Sequence, residues 1–185
     1  MGSKGAETRQ RMVAATLASI ERRGYYGAGL NQILADSGTP RGSLYFHFPG
    51  GKDELVAEAV RRAAAVVESV LADVDPSDPV GAVAAVLGAF GDRLEESGWE
   101  CGCPIAAVAL EVSGTHDPIQ RACAEVFARW TESIRLGLVA AGRDDADDLA
   151  SALLALIEGA LLLAQAQRSR VPLERALRTA RVLLG

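Results

Sequence analysis

Aromatic residues make up only 5% of this 185-residue chain, and it has three cysteines and two histidines. A core so short of rings has to be built from Ala, Leu and Val on helices, and no segment shows the strict alternation of a half-buried strand. The odd cysteine count fits reduced thiols better than a disulfide framework. No apolar run reaches the roughly 18–20 residues of a membrane span. The longest, LLALIEGALLLAQAQ, is interrupted by Glu158 and turns polar at Gln165, which predicts a buried helix and no membrane partner. The N-terminal MGSKGAETRQR lacks the apolar centre of a secretory signal, so a cytoplasmic chain is expected. Ser and His come close together only at Ser43 and His47, and there is neither a glycine-rich phosphate loop nor a nucleophile elbow. Catalysis is not expected, and no cofactor is implied.

What is present is a charge asymmetry. The net charge is −5, but residues 1–62 carry nine Lys/Arg against six Asp/Glu and residues 63–185 carry ten against eighteen. A basic front and an acidic rear suit a front segment that approaches a polyanion.

Periodicity and capping signals predict an all-α fold of about nine helices. A helix over 7–23 places Val13, Leu17 and Ile20 on one face and stops at Gly24, with Arg22 and Arg23 favouring its C-terminal end. Short helices follow over 30–37 and from Pro40 to before Pro49, then a long one from Lys52 to about Val74. Further helices are expected over 79–97, 104–113, 117–141, 144–168 and 172–184. The basic residues Lys4, Arg9 and Arg11 read as a solvated tail in preference to a basic arm near the DNA minor groove. A division into residues 1–50 and 51–185 is expected, with no repeat.

Two short helices joined by a tight turn at Gly38-Thr39, with a longer helix behind them, describe a helix-turn-helix whose second helix enters the DNA major groove. In SGTPRGSLYFHFPGGKDEL, Leu44 should face the core, with Arg41, Gly42, Ser43 and Tyr45 outward. The planar Arg41 fork can take guanine O6 and N7 together, or a phosphate. Tyr45, His47 and Lys52 suit phosphates. Tyr25, Phe46 and Phe48 are expected in the core of the small unit.

The order Gly24-Tyr25, Ile33, Gly38, Gly42, Leu44-Tyr45, His47-Phe48, Lys52 and Leu55 resembles the DNA-binding domain of the tetracycline-repressor (TetR) family of bacterial transcription regulators. That resemblance implies operator contacts from Thr39, Pro40, Arg41, Gly42, Ser43, Tyr45 and His47, with Lys52 bracing a phosphate. One departure is visible. Ala28 and Gly29 stand where the family places Thr and Ser, so the usual hydroxyl cap of the second helix is missing, and Asn31 or Gln32 are the nearest substitutes. The segments GWECGCPIAAVALEVSG and FPGGKDEL resemble the LmrA/YxaF-like branch of that family.

A single reading unit makes too few base contacts for useful specificity, so a homodimer on a palindromic operator is expected. The last two helices resemble the family's dimer interface, formed here by Leu149, Ala152, Leu153, Leu156, Gly159, Ala160, Leu163, Leu173, Leu177 and Ala180. The middle of the chain should hold a pocket for a small hydrophobic or amphipathic effector, which would release the repressor from DNA. Its candidate walls are Leu87, Phe90, Trp99, Cys103, Ala107, Phe127, Trp130 and Leu162. Glu111 and Glu158, carboxylates on apolar stretches that must find partners or stay neutral, are the candidate polar anchors. The rival reading is a thiol redox or metal-responsive regulator using Cys101, Cys103, Cys123 and His116, although their spacing lacks the paired Cys motif of structural zinc.

Overall fold

A computed structural model describes residues 3–185. The described residues form nine α-helices and no strand. These are α1 (Ser3–Gly27), α2 (Leu30–Asp36), α3 (Arg41–His47), α4 (Gly51–Leu71), α5 (Pro79–Glu96), α6 (Pro104–Val112), α7 (Asp117–Ala140), α8 (Ala146–Gln167) and α9 (Val171–Leu184). Their order and bounds follow the expected ones within a few residues, except at the front.

There the helix begins at Ser3, so the basic N-terminal residues are helical; Lys4 and Arg11 are exposed as expected, and Arg9 is half-buried. Arg9 donates to Glu58 at 3.0 Å and its guanidinium lies over the Phe48 ring at 5.0 Å. Its guanidinium thus serves an ion pair and a cation–π contact together. The expected stop at Gly24 is present as a break inside α1, with φ 66 and ψ −172 at that residue. This is a backbone region that essentially only glycine occupies. A last turn containing Tyr25 and Tyr26 follows before the chain enters α2.

The chain divides into two compact units. The first takes the described residues up to Ala65 together with Pro104–Val126, and the second takes Val66–Cys103 with Phe127–Gly185. Compactness therefore follows the chain differently from the expected division at residue 50. The first half of α4 carries buried Leu55, Val56, Ala59 and Val60, and α6 packs on α1, which draws both segments into the front unit. In the second unit α5, α8 and α9 pack on one another. Helix α5 opens on Asp78, whose carboxylate accepts from the Gly81 N–H at 2.8 Å, with Pro79 in the first turn.

Helix α8 is more apolar than the interruption at Glu158 suggested. An 18-residue window reaches a mean hydropathy of 1.9 with 39% of it buried, so by length and composition it could cross a membrane. One carboxylate among so many Ala and Leu does not lower the mean enough to matter. Its inward side, with Leu153, Ile157, Leu161 and Ala164, packs within the second unit. Its outward side, with Ala152, Gly159, Leu162 and Leu163, is exposed.

Candidate nucleic-acid interface

The turn between α2 and α3 is fixed by its own backbone. The N–H of Gly38, at φ 62, donates to Ala35 O, and that of Thr39 to Leu34 O at 2.9 Å. Ser37 and Thr39 close the turn from inside, their hydroxyls 2.5 Å apart and the Ser37 hydroxyl donating to Leu34 O at 3.0 Å. Thr39 is buried and its hydroxyl is used in the turn, so it shapes the entry to α3 and does not present a free donor. Gly29 starts α2 with no side-chain cap, as Ala28-Gly29 predicted. Neither expected substitute supplies a cap bond, and Gln32 donates instead to Asp36 at 2.6 Å.

Helix α3 is anchored by Leu44 and Phe48, both fully buried. Pro40, Arg41 and Gly42 are exposed, Tyr45 is 54% exposed, and Ser43 and His47 are half-buried. A side-chain carbon added at Gly42 would meet nothing within 4 Å, so another surface can approach this backbone closely. Phe46 is not core, as expected from its chemistry, but 75% exposed. In a seven-residue helix that already buries Leu44, and with Phe48 sealing its end, position 46 falls on the outward side. Its ring meets the His47 ring edge-on at 4.9 Å, and His47 Nδ1 is buried without a hydrogen-bond partner.

Behind α3, the start of α4 is tied to α1 and to the α6–α7 connection. Lys52 donates to Tyr25 O at 2.8 Å and sits 4.1 Å from the centre of the Tyr25 ring. The lysine expected to brace a phosphate thus first holds the end of α1. Burial lowers its pKa, partly offset by the charges of Asp53 and Glu111. The Tyr25 hydroxyl donates to Asp53 Oδ1 at 2.6 Å, and His116 Nδ1 lies 2.9 Å from Asp53 Oδ2. Burial raises the Asp53 carboxyl, but bonds to Tyr25 and His116 and the charges of His116 and Lys52 outweigh it and hold the group below the usual range. Burial first, then the bond to Asp53 and its charge, push the Tyr25 phenol well above its ordinary value.

Glu111 is placed by the same contacts. It lies on α6, and its Oε2 accepts from the Tyr26 N–H at 3.0 Å. A Cβ at Gly24 would sit 1.8 Å from Glu111 Oε1, so the carboxylate fills the space that this glycine leaves open. The break in α1 frees amides, and Glu111 satisfies one of them. This is a capping role within the first unit, not a pocket anchor. His116 likewise belongs to the Asp53 and Tyr25 cluster. Among the described residues no group of three or more His, Cys, Asp or Glu is arranged to hold a metal. Cys101, Cys103 and Cys123 are buried, and burial pushes the Cys123 thiol up to about 11, which disfavours the reactive thiolate.

The second unit contains a cavity of about 340 Å3. Of the candidate walls it brings together Phe90, Trp130 and Glu158, alongside Val67, Val83 and Ile134. The others lie elsewhere. Leu87 is buried core, and Phe127 packs edge-on against Trp130 at 5.9 Å. Ala107 is on α6 in the first unit. Leu162 is 63% exposed on the outward side of α8. Trp99 ends the turn after α5 at φ 71, its N–H donating to Leu94 O at 2.6 Å. Cys103 does not line the cavity, but its thiol is hydrogen-bonded to the Glu158 carboxyl. Sequence reasoning missed the contribution of α4 through Val67 and Leu71, which nothing distinguishes from other apolar positions of that helix.

The ten interface candidates divide in two. Leu149, Leu153, Ala160, Leu173 and Ala180 are buried within the second unit, while Leu156 and Leu177 are half-buried. Ala152, Gly159 and Leu163 are exposed, and with Leu162 they form one stripe along α8. On α9, Val182 is 82% exposed.

Comparison with known proteins accords with this geometry. Residues 12–59 match the family of bacterial regulatory proteins of the tetR type, and residues 79–179 match the C-terminal domain of LmrA/YxaF-like transcriptional regulators. The chain is 32% identical over 171 residues to the HTH-type transcriptional regulator LmrA of Bacillus subtilis, covering 90% of this chain and 91% of that protein. It is 30% identical over 177 residues to YxaF of the same organism, covering 94% and 92%. A TetR transcriptional regulator from Chloroflexus aurantiacus superposes with a TM-score of 0.79 at 33% identity, covering 97% of this chain and 94% of that one. The reduced form of Escherichia coli NemR shares the fold, with a TM-score of 0.82 at 24% identity over 94% and 96% of the two chains. The chain belongs to the TetR family of DNA-binding bacterial transcriptional regulators, in which it carries an LmrA/YxaF-like C-terminal domain.

Proposed function

We propose that the chain is a ligand-responsive repressor that binds a palindromic operator as a homodimer in the cytoplasm and is released by a small hydrophobic or amphipathic effector. The observation that carries this reading is the outward side of α3. Arg41, Gly42, Tyr45 and Phe46 are all exposed on a helix whose other side is fixed by Leu44 and Phe48. Arg41 reads a base edge, Tyr45 and His47 meet phosphates, and Pro40 and Ser43 bound the contact. Phe46 adds an apolar surface suited to a thymine methyl. Lys52 keeps ammonium protons beyond the one given to Tyr25 O, so it can hold the backbone of α1 and a phosphate at once.

The stripe Ala152, Gly159, Leu162 and Leu163 on α8, with Val182 on α9, supports pairing. Small residues allow close helix approach, and a two-fold axis would bury the stripe against its own copy. Helix α4 supports effector control. Its Val67 and Leu71 line the cavity, while its Lys52 and Asp53 hold Tyr25. A ligand that favours one position of α4 shifts the spacing of the paired reading heads; equal affinity for both positions would release nothing.

The test is Arg41→Ala on operator recovered by selection from random duplexes. Affinity should fall by about 1–3 kcal/mol, with relaxed preference at one base position and unchanged self-association. Unaltered affinity and preference would remove Arg41 from base reading.

A further inference from the structure

The cavity of the second unit is unusual in its charge balance. Its lining includes two carboxylates, Asp75 and Glu158, and no Lys, Arg or His. Asp75 is exposed and its carboxylate accepts from the backbone and the hydroxyl of Ser77, which hold it ionised. Glu158 is more deeply set. Its Oε2 is buried without a hydrogen-bond partner, and so is Nε1 of Trp130, another lining residue. The remaining walls are apolar and small or aliphatic apart from Phe90 and Ser133.

Resting on the reading of this cavity as the effector site, we infer that its ligand is a compact apolar amine, bound as its cation between the Glu158 carboxylate and the rings of Trp130 and Phe90. Three features converge on that chemistry. An anion would enter a site holding two negative groups and no positive one, at a cost that grows as water leaves. A cation gives Glu158 the charged partner it lacks, through a hydrogen bond stronger than a neutral one. Aromatic faces add attraction for a positive charge in a desolvated setting. Burial raises the Glu158 carboxyl, against a lowering by the Cys103 thiol. The unpaired charge is therefore penalised in the empty site, and an entering cation relieves that penalty. The terminal torsion of a glutamate is soft, so a small rotation is enough to turn an oxygen toward the ligand. The size also fits, since about 340 Å3 lies at the small end of the range of about 300–1,000 Å3 for small-molecule pockets.

The test uses two amines of different shape, 2-naphthylmethylamine and 4-phenylbutylamine, with the alcohol and carboxylic acid of each skeleton. Binding to the full chain is measured by calorimetry without DNA at neutral pH. Each amine should bind about tenfold or more tightly than its alcohol, and the acids should bind least. Glu158→Gln, which keeps shape and hydrogen-bonding capacity, should bring the amines down to the level of the alcohols while leaving alcohol affinity within about twofold. Alcohols that match the amines in the unaltered protein, amine affinity indifferent to Glu158→Gln, or failure of every amine to bind would each overturn the inference. Release from operator is scored separately. Amine binding that never weakens the DNA complex would uphold the ligand class and overturn the effector role.

Discussion

Gly24→Ala is expected to lower the unfolding free energy by about 2–4 kcal/mol, and urea denaturation followed by helix signal would measure it. Two costs combine. At φ 66 and ψ −172 any residue with a Cβ is strained, by about 1–3 kcal/mol. The added carbon also falls 1.8 Å from Glu111 Oε1, so the carboxylate has to withdraw. With it goes the 3.0 Å bond from the Tyr26 N–H, a charged hydrogen bond worth about 1.5–3 kcal/mol when lost outright and less where water can replace it. Because Tyr26 is exposed, the lower part of that range applies. A double-mutant cycle with Glu111→Ala separates the two costs: once Glu111 is gone, Gly24→Ala should retain only the backbone penalty. Additive effects of the two substitutions would show that Glu111 does not occupy the space beside Gly24.

Phe48→Ala should cost more, about 3–5 kcal/mol, and should abolish DNA binding at temperatures where the unaltered chain binds. Phe48 is fully buried, its N–H closes α3 on Leu44 O at 2.7 Å, and its carbonyl accepts from Gly51 N–H at the start of α4. It is also the ring beneath Arg9. It is among the largest fully buried side chains of the first unit, so its removal leaves a correspondingly large cavity. Phe46→Ala is the paired control. That side chain is mostly exposed, and its loss should leave stability nearly unchanged. Equal destabilisation by the two substitutions would contradict the assignment of inward and outward sides of α3.

The pair also shows how far the sequence could be read. Helix order was legible because glycine and proline punctuate this chain, and α3 with its preceding turn was legible because Gly38, Pro40 and Leu44 each have one local explanation. Phe46 was not. In a seven-residue helix apolar character alone does not assign a side, and hydrophobicity favoured the core for both phenylalanines. Glu111 was legible as a carboxylate needing a partner and His116 only as a metal or redox candidate, and their partners lie 85 and 63 residues away at Tyr26 and Asp53. The packing of α6 on α1 brings Glu111 to Tyr26, and the start of α4 supplies Asp53 to His116. In the cavity, the large or charged residues Phe90, Trp130 and Glu158 could be named in advance, whereas aliphatic walls such as Val67 and Ile134 resemble any buried position on a helix. Lys52 was legible as a cation at the start of a helix, but not its hold on the Tyr25 carbonyl, whose residue lies 27 positions away.

The most direct test of the account is the mass and sequence preference of the complex formed with duplexes selected from a random pool, measured by sedimentation and by footprinting. The account predicts two chains on one duplex, protecting inverted half-sites whose centres lie about 34–36 Å apart along one face of the DNA. A single chain on each duplex, or protection with no inverted symmetry, would contradict it.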